Sequence, residues 1–525
     1  MSAPLFLDGS PAAHEALRAA VAEVLDVLAA THPAGNHSPF PSVGPARLRE
    51  TASAIEPLPD DGEPLGEVLA DVGRTVLAHG ARVTDPWCAA HLHPPTLLTA
   101  AATELAIAAT NQSMDSYDQA PMATYVEDRL IGRLNELIGL PFATASGVLT
   151  SGGTASNLLG LLLARDHAAG GANLSGLPAG AGRWRILASA GAHVSVRQAA
   201  AVLGLGRGAV VAVTTDDDGR MDVAALDRTL DQLAQTGGAP IAVVGTAGTT
   251  DTGAVDPLNA LADRAAAAGA WFHVDAAVGS ALVLSDRLRP LVAGLERADS
   301  ITADLHKLWW QPIGASALLV RDGSTLGSVR EPADYLNRTE DDDVLNLVDR
   351  SLDTSRRFDA LKILVSLRAT GRRRMAGLVE HLVDLAAKAG EAARRVPGLE
   401  VLAPPQTVTV LFRCRPDGVD EALLDRLNTQ VQRRLLASGR AVVGRTRYRG
   451  RVVLKITFTN PMTTHDDVAG LLAAIAAEAS AGIEEAAKEA HAAPTATRGR
   501  RSRRNVGRDR TPNSAREASP YEPID

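Results

Sequence analysis

The segment SITADLHKLWWQPIGASALLVRD ends an apolar strand at Ala303 and then presents Asp304, His306 and Lys307. In open α/β sheets the crevice at the carboxyl ends of the strands is where ligands sit. A lysine amine placed there can condense with a carbonyl to form a Schiff base. Taken alone, such a lysine also reads as a surface residue that follows a strand, because Lys is seldom buried. Its company changes that reading. Upstream, WFHVDAAVGSA closes another strand with Asp275, set between apolar and small residues. A carboxylate so placed needs a cationic partner, and a protonated pyridine nitrogen would be one. The acid also fits a helix N-cap or, with His273, an H-x-D metal pair, for which no third ligand is evident.

A third segment, LTSGGTASNLLGLLLAR, puts Ser151, Gly152, Gly153 and Thr154 just before a strongly apolar helical run. Small residues let backbone N–H groups approach a phosphate, and the helix N-terminus adds a favourable dipole. The same string is also an ordinary helix-capping turn. It is not a P-loop, since no Gly-Lys-Ser/Thr follows, and GLGRG at 204–208 is too short for a dinucleotide fingerprint. His193, in LASAGAHVSVRQAA, follows a strand and precedes a helix, so it faces the same rim. Its flat ring suits stacking on a cofactor and a hydrogen bond to a substrate carboxylate, and a purely structural role fits as well. The turn TAGTTDTG offers Thr249 and Thr250 hydroxyls to a cofactor or to their own backbone. Lysine, acid and turn together point to pyridoxal 5'-phosphate held as an imine on Lys307. Asp275 would keep the ring nitrogen protonated and the ring an electron sink.

The elements that must position these groups are legible as short apolar runs alternating with Ala-rich helical stretches from about 145 to 320: RILAS, AVVAVTT, IAVVGTAGTT, WFHVDAA, SITAD and SALLVRD. That alternation predicts an α/β layer with a mostly parallel sheet. Residues 13–30 read as an amphipathic helix and Thr31 to Pro45 as a loop. Residues 356–397 read as helical, followed by strands at VTVLFRC and VVLKITFT around a helix near 419–437. The expected division is an N-terminal helical arm (1–88), a large cofactor domain (89–336), a small α+β C-terminal domain (337–485) and a disordered Arg/Pro/Ser-rich tail (486–525).

The formal charge of −8 over 525 residues is spread along the chain, which argues against a dedicated nucleic-acid or membrane surface in the folded part. The tail carries eight arginines between 498 and 516, but four acids from Asp509 onward offset them, and no nucleic-acid partner is expected. Cys88 and Cys414 stand far apart and in no metal-ligand spacing, so neither a disulfide framework nor a metal site is expected. The N-terminus lacks the unbroken apolar stretch of a signal peptide, and no apolar run is long enough to span a bilayer. A reducing cytoplasm is the expected setting.

With these motifs in this order, the chain resembles the group II pyridoxal-dependent decarboxylases over roughly residues 85–485. The resemblance implies a type I aminotransferase-like α/β fold, with a mostly parallel seven-stranded sheet in the large domain, and a homodimer with active sites near the interface. It implies that Lys307 is the imine lysine, Asp275 the pyridine partner, His193 the stacking residue and Ser151 to Thr154 part of the phosphate cup. Thr250, Ala277 and His306 would also touch the cofactor. Family members carry on a mobile loop a tyrosine that protonates the substrate carbon after CO2 loss, and REPADYLNRTEDDD supplies Tyr335 at that place.

A nearer similarity is to bacterial 2,4-diaminobutyrate decarboxylases and siderophore-pathway lysine decarboxylases, through AAHLHPPTL, NQSMDSYDQAP, ADYLNR and SRRFDALK. It implies decarboxylation of a basic L-amino acid, with diaminobutyrate to 1,3-diaminopropane ahead of lysine or ornithine. Aromatic-amino-acid decarboxylation and transamination are the alternatives, and transamination needs no loop tyrosine. The same similarity puts His91 beside cofactor and substrate. It also suggests Asp115 or Asp118 as reader of a distal ammonium. Asp115 is preferred because the other position is acidic in relatives with different substrates. Two departures stand out: Asp304, where several members have asparagine, and Lys455, where glutamate decarboxylases carry a carboxylate-binding arginine.

Overall fold

The computed structural model describes residues 4–31, 38–337 and 344–492, with side chains described up to 485. Residues 32–37 of the expected loop, 338–343 after Tyr335 and the tail beyond Ala492 lie outside the described residues.

The runs read as strands are near-continuously apolar, as strands covered on both faces must be. They form a seven-stranded sheet from β2 (Ser146–Thr150), β3 (Trp184–Ser189), β4 (Val210–Val213), β5 (Ala239–Thr246), β6 (Trp271–Asp275), β7 (Ser300–Asp304) and β8 (Ser316–Val320), with β1 (Cys88–Ala89) lying elsewhere. The strand order is β2-β8-β7-β6-β5-β3-β4. Only β8 runs against its neighbours, pairing antiparallel with both β2 and β7. The sheet is therefore mostly parallel, as expected. Helices Ser195–Val202, Val223–Thr236 and Leu258–Ala267 make the crossovers between successive parallel strands.

Helix Gly153–Ala169 runs across the sheet with Leu159, Leu161 and Leu163 fully buried. Each such leucine contributes about 1.5–3 kcal/mol. Gly160 on this helix is required by close approach, because a Cβ there would stand 2.7 Å from Cε1 of His273 on β6. Packing thus sets the height of the helix, and so of its N-terminus, over the sheet.

A second sheet takes β1, β9 (Leu399–Val401), β10 (Thr409–Cys414), β11 (Val442–Tyr448) and β12 (Arg451–Thr457) in the order β1-β11-β12-β10-β9. It is antiparallel apart from the β1–β11 pair. The expected boundary between 88 and 89 falls inside β1, which pairs with β11, and the Trp87 indole N–H bonds the Asp467 carbonyl at 2.9 Å. The expected boundary at 485/486 falls inside helix His465–Ala492. The described residues up to Gly482 form one compact unit. Chain segments far apart in sequence share one hydrogen-bonded sheet, which composition along the chain does not reveal. Among the described residues no helix is long and apolar enough to cross a membrane.

Candidate active site

Because β2, β3, β5, β6 and β7 point the same way, the segments that follow them meet at one rim of the sheet. There Ser151, Gly152, Gly153, Thr154, His193, Thr250, Asp275, Ala277, His306 and Lys307 line a cavity of about 400 Å³ together with Asn157 and Asp304. A larger depression of about 670 Å³, between helices Val223–Thr236 and Leu258–Ala267, is lined by Asp227, Arg264 and alanines and holds no comparable convergence of groups.

Asp275 ends β6 and is almost fully buried. Its Oδ2 accepts from Asn157 Nδ2 at 2.9 Å and its Oδ1 from the Ala277 backbone N–H at 3.1 Å. Two residues back on the strand, burial pushes His273 down to about 4, so it is neutral and does not serve as the missing cation. His273 is committed on both sides. Its Nε2–H donates to Asn157 Oδ1 at 2.9 Å, and its Nδ1 faces the Ser300 hydroxyl at 2.8 Å. Both ring nitrogens are thus engaged with Asn157 and Ser300, which speaks against an H-x-D metal pair.

Asn157 connects the site. Its amide NH2 donates to both Asp275 Oδ2 and Ser195 Oγ (2.8 Å), while its oxygen accepts from the Thr302 hydroxyl (2.6 Å) and from His273. Sequence reasoning did not single it out. The available signal was an asparagine inside an otherwise apolar helical run, a position that normally disfavours it. Through Ser195 the network reaches His193, whose Nδ1 lies 2.8 Å from Ser195 Oγ and 3.3 Å from the Ser195 backbone N–H. An N–H aimed at Nδ1 makes that nitrogen the acceptor, which places the ring proton of the neutral imidazole on Nε2.

Lys307 follows β7 in a turn, with Nζ 2.9 Å from Asp304 Oδ2. His306 donates through Nδ1 to the Ala315 carbonyl at 2.8 Å, leaving Nε2 3.7 Å from the same Asp304 oxygen. Asp304 is buried, and its Oδ1 has no hydrogen-bond partner. The acid that departs from the family pattern is thus turned toward the lysine. Gly153 opens helix Gly153–Ala169 directly above it, and a Cβ there would come within 2.9 Å of the carboxylate. A side chain at Gly153 would thus collide with Asp304, and the glycine keeps the helix start close to that acid and to the cavity that both line. A buried acid with no cation beside it among the described residues, a lysine amine and a glycine-opened helix start in one cavity fit pyridoxal phosphate.

The residues suggested for substrate and proton transfer are not in this cavity. His91 and His93 line a neighbouring cavity of about 330 Å³ with Cys88, Gly444 and Arg445. Burial and the nearby Lys455 charge lower His91, and burial and His306 lower His93. Asp115 accepts from the hydroxyls of Ser113 and Ser355. Asp118 and Tyr335 share a third cavity of about 220 Å³ with Tyr117 and Asn346, and Tyr335 is 81% exposed.

Residues 45–415 match the pyridoxal-dependent decarboxylase conserved domain. The chain belongs to the pyridoxal-dependent decarboxylases. This decarboxylase is 43% identical over 431 residues to an L-2,4-diaminobutyrate decarboxylase of Rhizobium meliloti (strain 1021), covering 82% of this chain and 85% of the relative. Against the L-2,4-diaminobutyrate decarboxylase of Acinetobacter baumannii it is 38% identical over 447 residues, covering 82% and 88%. Among solved structures, the glutamate decarboxylase domain of a diaminobutyrate-pyruvate transaminase and L-2,4-diaminobutyrate decarboxylase from Vibrio parahaemolyticus superposes with a TM-score of 0.83 at 36% identity. That match covers 91% of this chain and 98% of that one. Oryza sativa TDC with PLP and tryptamine gives a TM-score of 0.82 at 26% identity, covering 90% and 99%. The decarboxylase has the mixed α/β fold of these neighbours and uses pyridoxal phosphate to remove CO2 from an amino acid.

Proposed function

We propose that this decarboxylase converts L-2,4-diaminobutyrate to 1,3-diaminopropane and CO2. The observation that carries the substrate is the 43% identity, over 82% of the chain, to a diaminobutyrate decarboxylase. When bound, pyridoxal phosphate supplies an electron sink for the pair released as the carboxylate leaves Cα. Lys307 would hold the cofactor by its amine. Asp275 would face the ring nitrogen, with its carboxylate fixed in place by Asn157. Ser151 to Thr154, with Thr250, Ala277 and His306, form the rest of the cofactor cradle. His193 would lie against the cofactor ring, with Nδ1 held by Ser195 and Nε2–H left for the substrate. Orienting the scissile bond across the ring plane is the main task of these contacts. A panel of diaminobutyrate, ornithine, lysine, glutamate and an aromatic amino acid, assayed for amine product, tests the substrate. Faster turnover of any of the others overturns the diaminobutyrate reading.

The homodimer belongs to the same proposal. Tyr335 is exposed and lies outside the cavity of Lys307, while Leu5 and Phe6 of the N-terminal segment stand 88% and 78% exposed, as residues awaiting a partner surface would. In this reading the loop bearing Tyr335, with Asp118 beside it, serves the site of a second copy. The phenol delivers the proton to Cα once CO2 has left, and the loop excludes water during that step. Tyr335→Phe should therefore lower the amount of amine formed per CO2 released, because protonation no longer falls on the right carbon. Mixed dimers of Tyr335→Phe and Lys307→Ala chains should recover about a quarter of the wild-type activity, since half of the dimers are mixed and each holds one complete site. No recovery would place Tyr335 on the site of its own chain. A wild-type product ratio in Tyr335→Phe would remove it as donor. A cytoplasmic setting, expected from two lone cysteines, completes the proposal.

A further inference from the structure

Directly after Thr250, whose side lines the cofactor cavity, stands Asp251 with its side chain half exposed. It meets Lys455 on β12, which is 7% exposed. The Lys455 ammonium donates to the Thr250 carbonyl and to Asp251 Oδ1, both at 2.8 Å, and the Thr446 hydroxyl donates to Asp251 Oδ2 at 2.8 Å. Gly444, opposite Lys455 on β11, makes room for the lysine stem, since a Cβ there would stand 2.6 Å from Lys455 Cγ. Gly444 and His91 line the neighbouring cavity. The pair therefore links the walls of the two cavities, since Lys455 bonds Thr250 of one, stands opposite Gly444 of the other and acts by its charge on His91 there.

A buried lysine here, unopposed, would draw in a side chain ending in a carboxylate and repel one ending in an ammonium, because Coulomb energies at such range are large where water is scarce. We propose that Asp251 sets the charge preference of the site by cancelling Lys455, so that an ammonium-bearing side chain is admitted and an acidic one is not attracted. This rests on the proposed diamino substrate and names the residue that permits it. Asp275 and Asp304, the acids inside the cavity, are engaged with the cofactor cradle and with Lys307, while Asp115 and Asp118 lie outside that cavity. Asp251 holds the turn only by its side-chain bonds to Lys455 and Thr446, so Asp251→Asn keeps the shape and removes the charge.

The test compares kcat/KM for diaminobutyrate, ornithine, neutral 2-aminobutyrate, aspartate and glutamate in wild type, Asp251→Asn, Lys455→Met and the double variant. Cofactor loading is followed by visible absorption. Asp251→Asn should lower the cationic-to-neutral ratio by roughly tenfold or more and raise the acidic-to-neutral ratio, since like charges brought together are costly. Lys455→Met should move both ratios the other way, and the double variant should return them toward wild type. A tie that merely anchors β12 would lower all substrates alike, and unchanged ratios in Asp251→Asn overturn the proposal. Should that variant fail to load cofactor, Lys455→Met alone decides: a raised cationic-to-neutral ratio supports the proposal and an unchanged one overturns it. A wild type that favours ornithine removes diaminobutyrate as substrate while leaving the Asp251 result readable. One that favours neutral or acidic amino acids overturns both.

Discussion

Lys307→Ala is expected to abolish turnover while the protein still folds. The side chain is 19% exposed and lies in the turn after β7, outside the apolar core, so its removal opens no cavity among packed residues. In the proposed role, what disappears is the covalent hold on the cofactor and the amine that exchanges it with substrate. Truncation also strips Asp304 of its 2.9 Å ion-pair partner, which by itself lowers stability. Lys307→Arg separates the two effects. A guanidinium can still face Asp304 but cannot form the bond, so the arginine variant should melt close to wild type and be as inactive as the alanine variant. The readouts are CO2 release, thermal melting and the visible absorption that survives gel filtration. Wild-type protein should be yellow, and both variants should lose that covalent signature. Normal CO2 release from either variant would remove Lys307 from its assigned role.

Asp275→Asn is expected to cost about two to four orders of magnitude in kcat, from the roughly 3–5 kcal/mol lost when one partner of a buried charge pair is removed. The amide has nearly the shape of the acid and can still accept from the Ala277 N–H, so the turn after β6 persists. The fixed negative charge, however, is gone. A ring nitrogen facing an amide in a buried site is no longer held protonated, and the ring accepts electrons poorly. The amide N–H2 would also confront the Asn157 N–H that now points at Oδ2, which disturbs the bonds to Ser195 and His273. Cofactor affinity of the apoprotein should fall as well. It can be read by titration without any turnover, and a variant with wild-type affinity and kcat would show that Asp275 is only a structural cap.

Much of the site was legible because its chemistry is local. Lys307, Asp275 and the Ser151 to Thr154 turn each follow an apolar run at a point where strand becomes turn or helix, and side-chain period and turn chemistry are properties of neighbours in sequence. The seven strands follow from the same patterns. Three things did not. Asn157 looked like one polar residue in an apolar helix until β6 and β7 were laid beneath it, bringing Asp275, His273 and Thr302 to one amide. The pairing of Asp304 with Lys307 depended on how the turn after β7 folds back. Lys455 and Asp251 stand far apart in sequence and meet only because the second sheet packs against the turn after β5.

His91, Asp115, Asp118 and Tyr335 show the same limit from the other side. Motif likeness gave His91 a place beside the cofactor, Asp115 or Asp118 a substrate ammonium and Tyr335 a proton transfer, and within one chain these residues line neighbouring cavities and surface turns. By itself the sequence determined which residues can do the chemistry and which strand end presents them, since these follow from residue type and local periodicity. Only the tertiary structure decided which of those groups share one cavity and which charges are cancelled there, because the distances between them are set by strand order and packing across hundreds of residues.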